Sequence, residues 1–145
     1  MTAPVALTCG DPAGIGPEIA VAARRLLGAE VPFFWLGDPR HLPDGTEYAS
    51  ISEPSDVLSV PAAALPVLAH RFASNVTAGV PDGALAQGVI DVIGRAVGLV
   101  QAGQASAICT APISKKVLKD GAGFAFPGHT EFLAHLGGDR KSTRL

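Results

Sequence analysis

Short apolar runs alternate with a helical stripe along the first part of the chain. The run VALTC at residues 5–9 is apolar and ends at Gly10, which indicates a short strand. From Pro17 onward the apolar positions follow helical spacing, at Ile19, Ala22, Ala23, Leu26 and Leu27. Gly28 ends this helix, and VPFFWLG at residues 31–37 is the next strand. A strand, a helix and a strand joined by short connections predict a parallel sheet.

The second half continues the same alternation after a segment that prolines interrupt. Within residues 45–81, the prolines at positions 54, 61, 66 and 81 favour edge or loop geometry. Residues 82–102 predict the clearest helix, and its three internal glycines indicate that it packs closely. Its apolar stripe comprises Leu85, Val89, Val92, Ile93, Ala96, Val97 and Val100. ASAICTAP at 105–112 indicates a buried strand, and ISKKVLKD begins a short helix. The predicted class is α/β, a mostly parallel sheet flanked by helices.

Composition and charge narrow the possible partners. The chain has 145 residues, 48% of them hydrophobic, which suits one packed domain. The formal net charge of −2 and the lack of an arginine-rich face argue against nucleic acid. Cys9 and Cys109 are 100 residues apart without metal-ligand spacing, which favours reduced thiols. We find neither a signal peptide nor an apolar run near the about 20 residues of a membrane span. We therefore expect a cytoplasmic protein without a membrane partner.

The glycine-rich stretch TCGDPAGIGPEIA at residues 8–20 raises the question of a nucleotide loop. It does not match the dinucleotide fingerprint GxGxxG, because Ile19 occupies the third glycine position. It does not match the phosphate loop GxxxxGK[ST] either, and the charges of Asp11 and Glu18 oppose a phosphate. The alternative is a tight strand-to-helix turn. Because it follows a parallel strand, such a turn still suits the wall of a ligand cleft.

Polar chemistry concentrates in residues 109–138. Thr110, Ser114, Lys115 and Lys116 follow the last predicted strand, where hydroxyls and a lysine near a helix start could hold a phosphate or carboxylate. The alternative is a solvated helix face on which Ser114 is the N-cap.

A second polar group follows the turn FPG. His129 and Thr130 precede the apolar positions of EFLAHL, so one of them is expected at the helix cap. The helix N-terminus disfavours a protonated imidazole there, which suits a neutral ring that forms one hydrogen bond to a ligand. The alternative is a structural histidine that caps the turn. His41, His70 and His135 are expected to be structural.

Three motifs carry a family resemblance: GDPAGIGPEI, TAPISKK and AGFAFPGHTEFLA. In order and spacing, the chain resembles the 4-hydroxythreonine-4-phosphate dehydrogenase family from about residue 4 to residue 137. The resemblance implies two α/β lobes around a cleft, as in isocitrate and isopropylmalate dehydrogenases, and a homodimer. The implied reaction is NAD-dependent oxidation and decarboxylation of 4-phosphooxy-L-threonine to 3-amino-2-oxopropyl phosphate, in pyridoxal phosphate biosynthesis.

The resemblance also implies site residues. The substrate-binding His-Thr pair of the family falls on His129 and Thr130, and its lysine falls on Lys115, whereas no catalytic or NAD-binding residue is assigned. The family binds a divalent metal (Zn, Mg or Co), and its three histidine ligands lie downstream of the residues present here. We expect residues 1–138 to be an inactive N-terminal portion with exposed apolar surface that aggregates, and residues 139–145 to be a non-native tail.

Other functions remain open at this point. Members of the same family oxidise D-threonate 4-phosphate or D-erythronate 4-phosphate, and the motifs present do not separate these substrates. Phosphate acyltransferases have a related two-lobed architecture, although the GHTE motif argues against them. A non-catalytic binding or regulatory module is the third alternative.

Overall fold

The fold is a five-stranded parallel sheet with helices around it, in a computed structural model that describes residues 3–28 and 30–138. The strands are β1 (Val5–Thr8), β2 (Phe33–Gly37), β3 (Tyr48–Ile51), β4 (Leu65–Ala69) and β5 (Ala107–Thr110). The α-helices are α1 (Gly16–Leu27), α2 (Ala86–Gln101), α3 (Lys115–Ala122) and α4 (His129–Gly137), and short 3-10 helices span Pro39–His41, Pro54–Ser59 and Gly83–Leu85. The predicted parallel α/β fold is confirmed. The proposed tail at 139–145 lies outside the described residues.

The order of the strands places the topological switch point of the sheet between β1 and β5. The sheet order is β3-β4-β2-β1-β5, so the chain leaves β1 toward β2 and later returns to the opposite side of β1 as β5. Right-handed crossovers then place α1 and α2 on opposite faces of the sheet. The loops that follow β1 and β5 diverge at the carboxyl ends of their strands, which is where open parallel sheets place ligands.

Helix α2 packs with the predicted stripe against the sheet. Its buried residues are Ala86, Val89, Val92, Ile93, Ala96 and Val97. Of its internal glycines, Gly88 packs against the ring of Phe72, whereas Gly94 and Gly98 face open space. The expected close packing is therefore limited to Gly88. Within the described residues, the segment Gly83–Gln101 is long and apolar enough to cross a membrane by length and composition, which the sequence analysis did not anticipate.

Helix α1 presents a different face to the sheet from the one its apolar stripe indicates. Ile19, Leu26 and Leu27 are 39%, 84% and 40% exposed, while Arg24 is only 4% exposed. The Arg24 guanidinium donates hydrogen bonds to the carbonyl oxygens of Ala64 at 2.9 Å and of Pro61 at 3.2 Å. Because buried charge requires such partners, the bonds of Arg24 set the rotation of α1 and leave its apolar stripe outward.

Strand β5 is an edge strand in the described sheet, and it is not the buried strand that its apolar sequence predicts. It pairs with β1, and Ala107 and Cys109 are exposed. A groove of about 260 Å³ lies beside it, lined by Val5, Leu7, Ile19, Ala23, Leu27, Val31, Phe33 and Cys109. Parallel sheets usually have both faces covered, so this groove and the outward face of α1 form the exposed apolar surface that we expected.

Proline 66 lies inside the sheet, which contradicts the expected edge or loop position. It belongs to β4, between β3 and β2, and is fully buried. The Leu65 N–H donates to the Glu47 carbonyl at 3.0 Å, and the register with β2 begins only at Val67, opposite Trp35. The missing N–H of Pro66 therefore falls before the first bond on that side, so the strand tolerates it.

A buried carboxylate joins the loops that follow β2 and β4. Asp38 accepts hydrogen bonds from the Arg40 guanidinium at 2.8 Å and from the Phe72 N–H at 2.9 Å, and Arg40 also donates to the Phe72 carbonyl at 2.9 Å. Burial raises the pKa of the Asp38 carboxyl, but the bonds from Arg40 and from the backbone of Phe72 outweigh it and lower the pKa to about 2.

Replacement of Asp38 by asparagine should lower the free energy of unfolding by about 2 kcal/mol at pH 7, because the charge that gathers these donors is lost. A depressed carboxyl pKa stabilises the fold above the unfolded value of about 4, and this contribution is lost as the pH falls toward about 2. The difference between the two proteins in urea unfolding should therefore shrink below about pH 4. The exposed Asp44→Asn is the matched control. An equal loss in both variants, or a difference that is independent of pH, would contradict this role.

Replacement of Leu26 by lysine should weaken self-association of the chain by about tenfold, because it places a charge on the outward apolar face of α1. Sedimentation velocity over a concentration series measures the effect. Leu58 is 58% exposed outside this surface, so Leu58→Lys is the control and should leave association unchanged. Equal effects of the two variants would show that the face of α1 is not the contact.

Candidate functional site

The glycine-rich loop after β1 forms a tight turn that satisfies its own amides. The Asp11 carboxylate accepts the Ala13 N–H at 3.0 Å, and the Asp11 carbonyl accepts the Gly14 N–H at 3.0 Å. Gly10 has a φ of +66°, and a Cβ there would lie 2.5 Å from the Pro112 carbonyl oxygen. The glycines thus allow close approach of backbones, and the internal carboxylate occupies an amide that a phosphate loop would offer to its ligand.

Backbone hydrogen bonds join this turn to two other loops at the carboxyl edge of the sheet. The Asp11 N–H donates to the Pro112 carbonyl at 2.8 Å, across the switch point between β1 and β5. The Gly79 N–H, in the segment that follows β4, donates to the Ala13 carbonyl at 2.8 Å. These bonds hold the start of the loop after β5 in place, and this loop leads into α3.

Helix α3 begins directly after this hydrogen-bonded loop. The Ser114 hydroxyl accepts the Val117 N–H at 3.3 Å, so Ser114 is the N-cap, as one reading of the sequence predicts. Ser114 and Lys116 line a groove of about 460 Å³ between α3 and residues 81–83. Lys115 is instead exposed at the first position of the helix and approaches the start of α4. Lys116 therefore faces the groove beside residues 81–83, whereas Lys115 faces the start of α4.

Helix α4 begins at His129, and its cap is neither His129 nor Thr130. The N-cap is Gly128, without a side-chain hydrogen bond, so the expected cap is wrong. Gly128 is buried and extended, and its carbonyl accepts the Phe132 N–H at 3.3 Å. His129, the first residue of the helix, is half-buried, while Thr130 is exposed.

An aromatic cluster supports the turn that presents His129. The rings of Phe124 and Phe132 lie 5.2 Å apart, and those of Phe126 and Phe132 lie 5.1 Å apart. The His135 ring packs 5.1 Å from Phe126, which agrees with its expected structural role. Packed aromatic rings have few alternative arrangements, so this cluster fixes the direction in which α4 begins.

Lys115 lies near Gly128, the residue that precedes His129, and its charge acts on the His129 imidazole. A Cβ placed on Gly128 would lie 3.5 Å from the Lys115 Cε and 3.6 Å from its Nζ. The same point lies 3.6 Å from Oε2 of Glu131, an acid that the sequence analysis did not assign. Its signal was available, because GHTE places an acid in the first turn of the helix. The start of α4 therefore has an ammonium from α3 and a carboxylate from its own first turn near Gly128.

The electrostatics of the site favour a neutral imidazole. Burial lowers the pKa of His129, and the nearby Lys115 charge lowers the pKa further. The Nε2 atom of His129 is buried and has no hydrogen-bond partner within the described residues. A neutral ring with a free nitrogen can donate or accept one hydrogen bond, so the geometry suits a ligand beside a cation.

The remaining histidines and cysteines serve the core or the surface. His41 is buried, and its Nε2 lies 2.8 Å from the Ser74 carbonyl oxygen, while His70 lies 3.4 Å from Arg95. Cys9 is buried and Cys109 is exposed, and both thiols are free. Burial raises the pKa of the Cys9 thiol to about 12, so Cys9 is not an activated nucleophile.

Neither the metal nor NAD, which the resemblance implies, finds a fitting site in the described chain. Among residues 3–28 and 30–138, no three His, Cys, Asp or Glu side chains form a group that could hold a metal ion. The tight turn after β1 also uses its amides internally, through Asp11. The described residues therefore form no group of metal ligands, and the turn after β1 does not offer the Ala13 and Gly14 amides to a nucleotide phosphate.

Comparison with known proteins assigns the family. A family model described as "Pyridoxal phosphate biosynthetic protein PdxA" matches residues 20–145. The chain belongs to the PdxA family. A curated relative from Roseobacter denitrificans, named 4-hydroxythreonine-4-phosphate dehydrogenase, is 58% identical over 139 residues, which are 96% of this chain and 43% of the relative. A relative of the same name from Ruegeria sp. is 59% identical over 92% of this chain and 41% of its own. The chain thus spans about two fifths of the length of these curated relatives.

Solved structures show the same fold in PdxA family members. A putative 4-hydroxythreonine-4-phosphate dehydrogenase from Salmonella typhimurium superposes with a TM-score of 0.83 at 32% identity, over 96% of this chain and 46% of that one. A terephthalate 1,2-cis-dihydrodiol dehydrogenase from Burkholderia xenovorans superposes with a TM-score of 0.70 at 27% identity, over 96% of this chain and 42% of that one. The fold of this part of the family therefore occurs in dehydrogenases of differently named substrates.

Replacement of Lys115 by methionine should raise the pKa of His129, because it removes the nearby positive charge. The pKa should stay below its ordinary value, since burial of the imidazole persists. Titration of the ring nitrogens by NMR measures the change. The adjacent Lys116→Met is the matched control and should have no effect, because Lys116 lines the groove on the other side of α3. An unchanged His129 pKa in Lys115→Met would show that the two groups are not coupled.

Proposed function

We propose that this chain provides the substrate-anion site of an NAD-dependent dehydrogenase that acts on 4-phosphooxy-L-threonine. The reaction oxidises and decarboxylates this substrate to 3-amino-2-oxopropyl phosphate, in pyridoxal phosphate biosynthesis. One observation carries the proposal: the Lys115 ammonium lies near Gly128 at the start of α4, and its charge together with burial lowers the pKa of His129. The shared name of the curated relatives supports the same reaction.

Each residue of the site has a role that follows from its chemistry. The Lys115 ammonium attracts the anionic phosphate, and its exposure lets it follow the ligand. The free Nε2 of His129 forms one directional hydrogen bond, which orients the substrate beside that charge. The exposed Thr130 hydroxyl adds a second, adjustable bond. Together the three side chains bind and orient an anion at the carboxyl edge of the sheet.

NAD and the divalent metal belong to the proposed reaction, and the described residues of this chain do not fit either of them. The roles proposed for the residues of this chain are therefore binding and orientation of the substrate. On the proposed function, the chain alone binds the phosphorylated acid without turnover. The proposal also includes a homodimer in the cytoplasm, with neither nucleic acid nor a membrane as partner.

A second substrate class has a specific observation in its favour. The terephthalate dihydrodiol dehydrogenase shares this fold at 27% identity, so the fold alone does not select the substrate. The Lys115–His129 pair recognises a phosphate and leaves the rest of the ligand unspecified. D-threonate 4-phosphate and D-erythronate 4-phosphate, which carry the same group, are therefore the alternative substrates.

The test uses a chimera in which residues 1–138 replace the matching part of the Roseobacter denitrificans relative. His129→Ala should lower kcat/KM for the phosphorylated acid by about 100-fold or more, because a positioning hydrogen bond is lost. Its melting temperature should stay within about 3 °C of the unmutated chimera, since His129 bonds to no other described group. Steady-state NADH formation with each of the three acids measures activity and ranks the substrates.

His70→Ala is the control, because this half-buried histidine follows β4, lies next to Arg95 and is not part of α3, α4 or the aromatic cluster that supports α4. If His129→Ala unfolds the chimera without a specific loss of kcat/KM, His129 is a structural residue and the proposed site is wrong.

A further inference from the structure

Glu131 faces the same open space as Lys115, above the Cα of Gly128. The Oε2 atom of Glu131 and the Nζ atom of Lys115 each lie 3.6 Å from the position of a Cβ on Gly128. A residue with a side chain at position 128 would lie between them, whereas glycine leaves the space free. Opposite charges thus lie near one point above a buried glycine, although they are farther apart than the 4.0 Å of a direct ion pair.

Neither charge has an ionic partner within 4.0 Å among the residues that the structure describes. Among the described residues, the ion pair within 4.0 Å joins Arg40 to Asp38. These two residues follow β2, whereas α3 and α4 follow β5 at the opposite edge of the sheet. Lys116 and Asp120 face the groove along α3 rather than this space. The local field at the start of α4 therefore comes from Lys115, His129 and Glu131.

We propose that Glu131 is an internal counter-ion for Lys115, a carboxylate that holds the ammonium above Gly128 and that an incoming phosphate must displace. The inference rests on the proposed function, since it concerns the same anion site. Glu131 is a positioning residue here, because it acts on the ligand through Lys115. Without a ligand, the Glu131 carboxylate limits the motion of the long, exposed Lys115 side chain. When phosphate binds, it replaces Glu131 as the ionic partner of the Lys115 ammonium.

The position of Glu131 on α4 makes this exchange possible at low cost. A carboxylate in the first turn is stabilised by the partial positive charge of the helix N-terminus. When the Lys115 ammonium leaves Glu131 and binds a phosphate, the helix N-terminus therefore still stabilises the Glu131 carboxylate. Because the pair is partly exposed and not in direct contact, its strength is that of a surface ion pair, which a dianion can exceed.

The test measures binding of inorganic phosphate to the 145-residue chain at pH 8, where phosphate is a dianion, with the NMR signals of His129 as the reporter. Glu131→Gln should raise the affinity for phosphate by about fivefold, because the ammonium is released from its counter-ion. Lys115→Met should weaken binding, and Lys115→Met with Glu131→Gln should match Lys115→Met alone within about twofold. Glu131→Asp keeps the charge and should keep the wild-type affinity within about twofold.

Glu18→Gln is the matched control, because Glu18 is an acid in the first turn of another helix, α1, and its removal changes the net charge equally. It should leave phosphate affinity unchanged, and circular dichroism should show the same helix content in every variant. An increase that is equal with and without Lys115 would overturn the inference, since it would reflect general repulsion of the phosphate. An unchanged affinity in Glu131→Gln would overturn it as well. Absence of any phosphate effect at His129 in the wild-type chain would instead reject the anion site of the proposed function itself.

Discussion

The backbone contact between the loop after β1 and the loop after β5 organises the carboxyl edge of the sheet, where the candidate site lies. Gly10 lies against the Pro112 carbonyl, and the next residue, Asp11, donates its N–H to the same oxygen at 2.8 Å. This bond joins the loop after β1 to the loop after β5, which leads into α3. The position of Lys115, at the first turn of α3, follows from it. Without this approach, which a Cβ on Gly10 would prevent, the lysine would have no defined place relative to α4.

Charged groups throughout the molecule show the same principle, that burial needs specific partners. Arg24 is buried because carbonyl oxygens of the segment before β4 accept its protons, and these bonds set the rotation of α1. Asp38 is buried because Arg40 and the Phe72 amide donate to it. The His129 Nε2 is buried without a described partner, and the same holds for Thr8 Oγ1, Trp35 Nε1, His41 Nδ1 and Ser74 Oγ. What distinguishes His129 among these residues is its place at the start of α4, where the charge of Lys115 lowers its pKa.

The family assignment and the geometry contribute different information. Membership of the PdxA family agrees with the resemblance of the three motifs, and the parallel sheet agrees with the class predicted from alternating strands and helices. The roles of His129, Thr130 and Lys115 stay predictions, since the comparisons match this chain to about two fifths of its relatives. The geometry adds that Lys115 and Glu131 both lie near Gly128 at the start of α4, which a family name does not contain.

By itself, the sequence determined the alternation of β1, α1, β2, α2 and β5 and the buried stripe of α2, because periodicity is a local property of the chain. Its motifs also nominated the candidate site residues, and it did not predict β3. Tertiary structure decided which face of α1 is buried, since the partners of Arg24 lie at residues 61 and 64, far along the chain. It also decided that β5 is an edge strand and that Pro66 is tolerated inside the sheet, because register depends on neighbouring strands. The meeting of Lys115, His129 and Glu131 likewise required the fold, since no spacing along a sequence states how two helices approach each other.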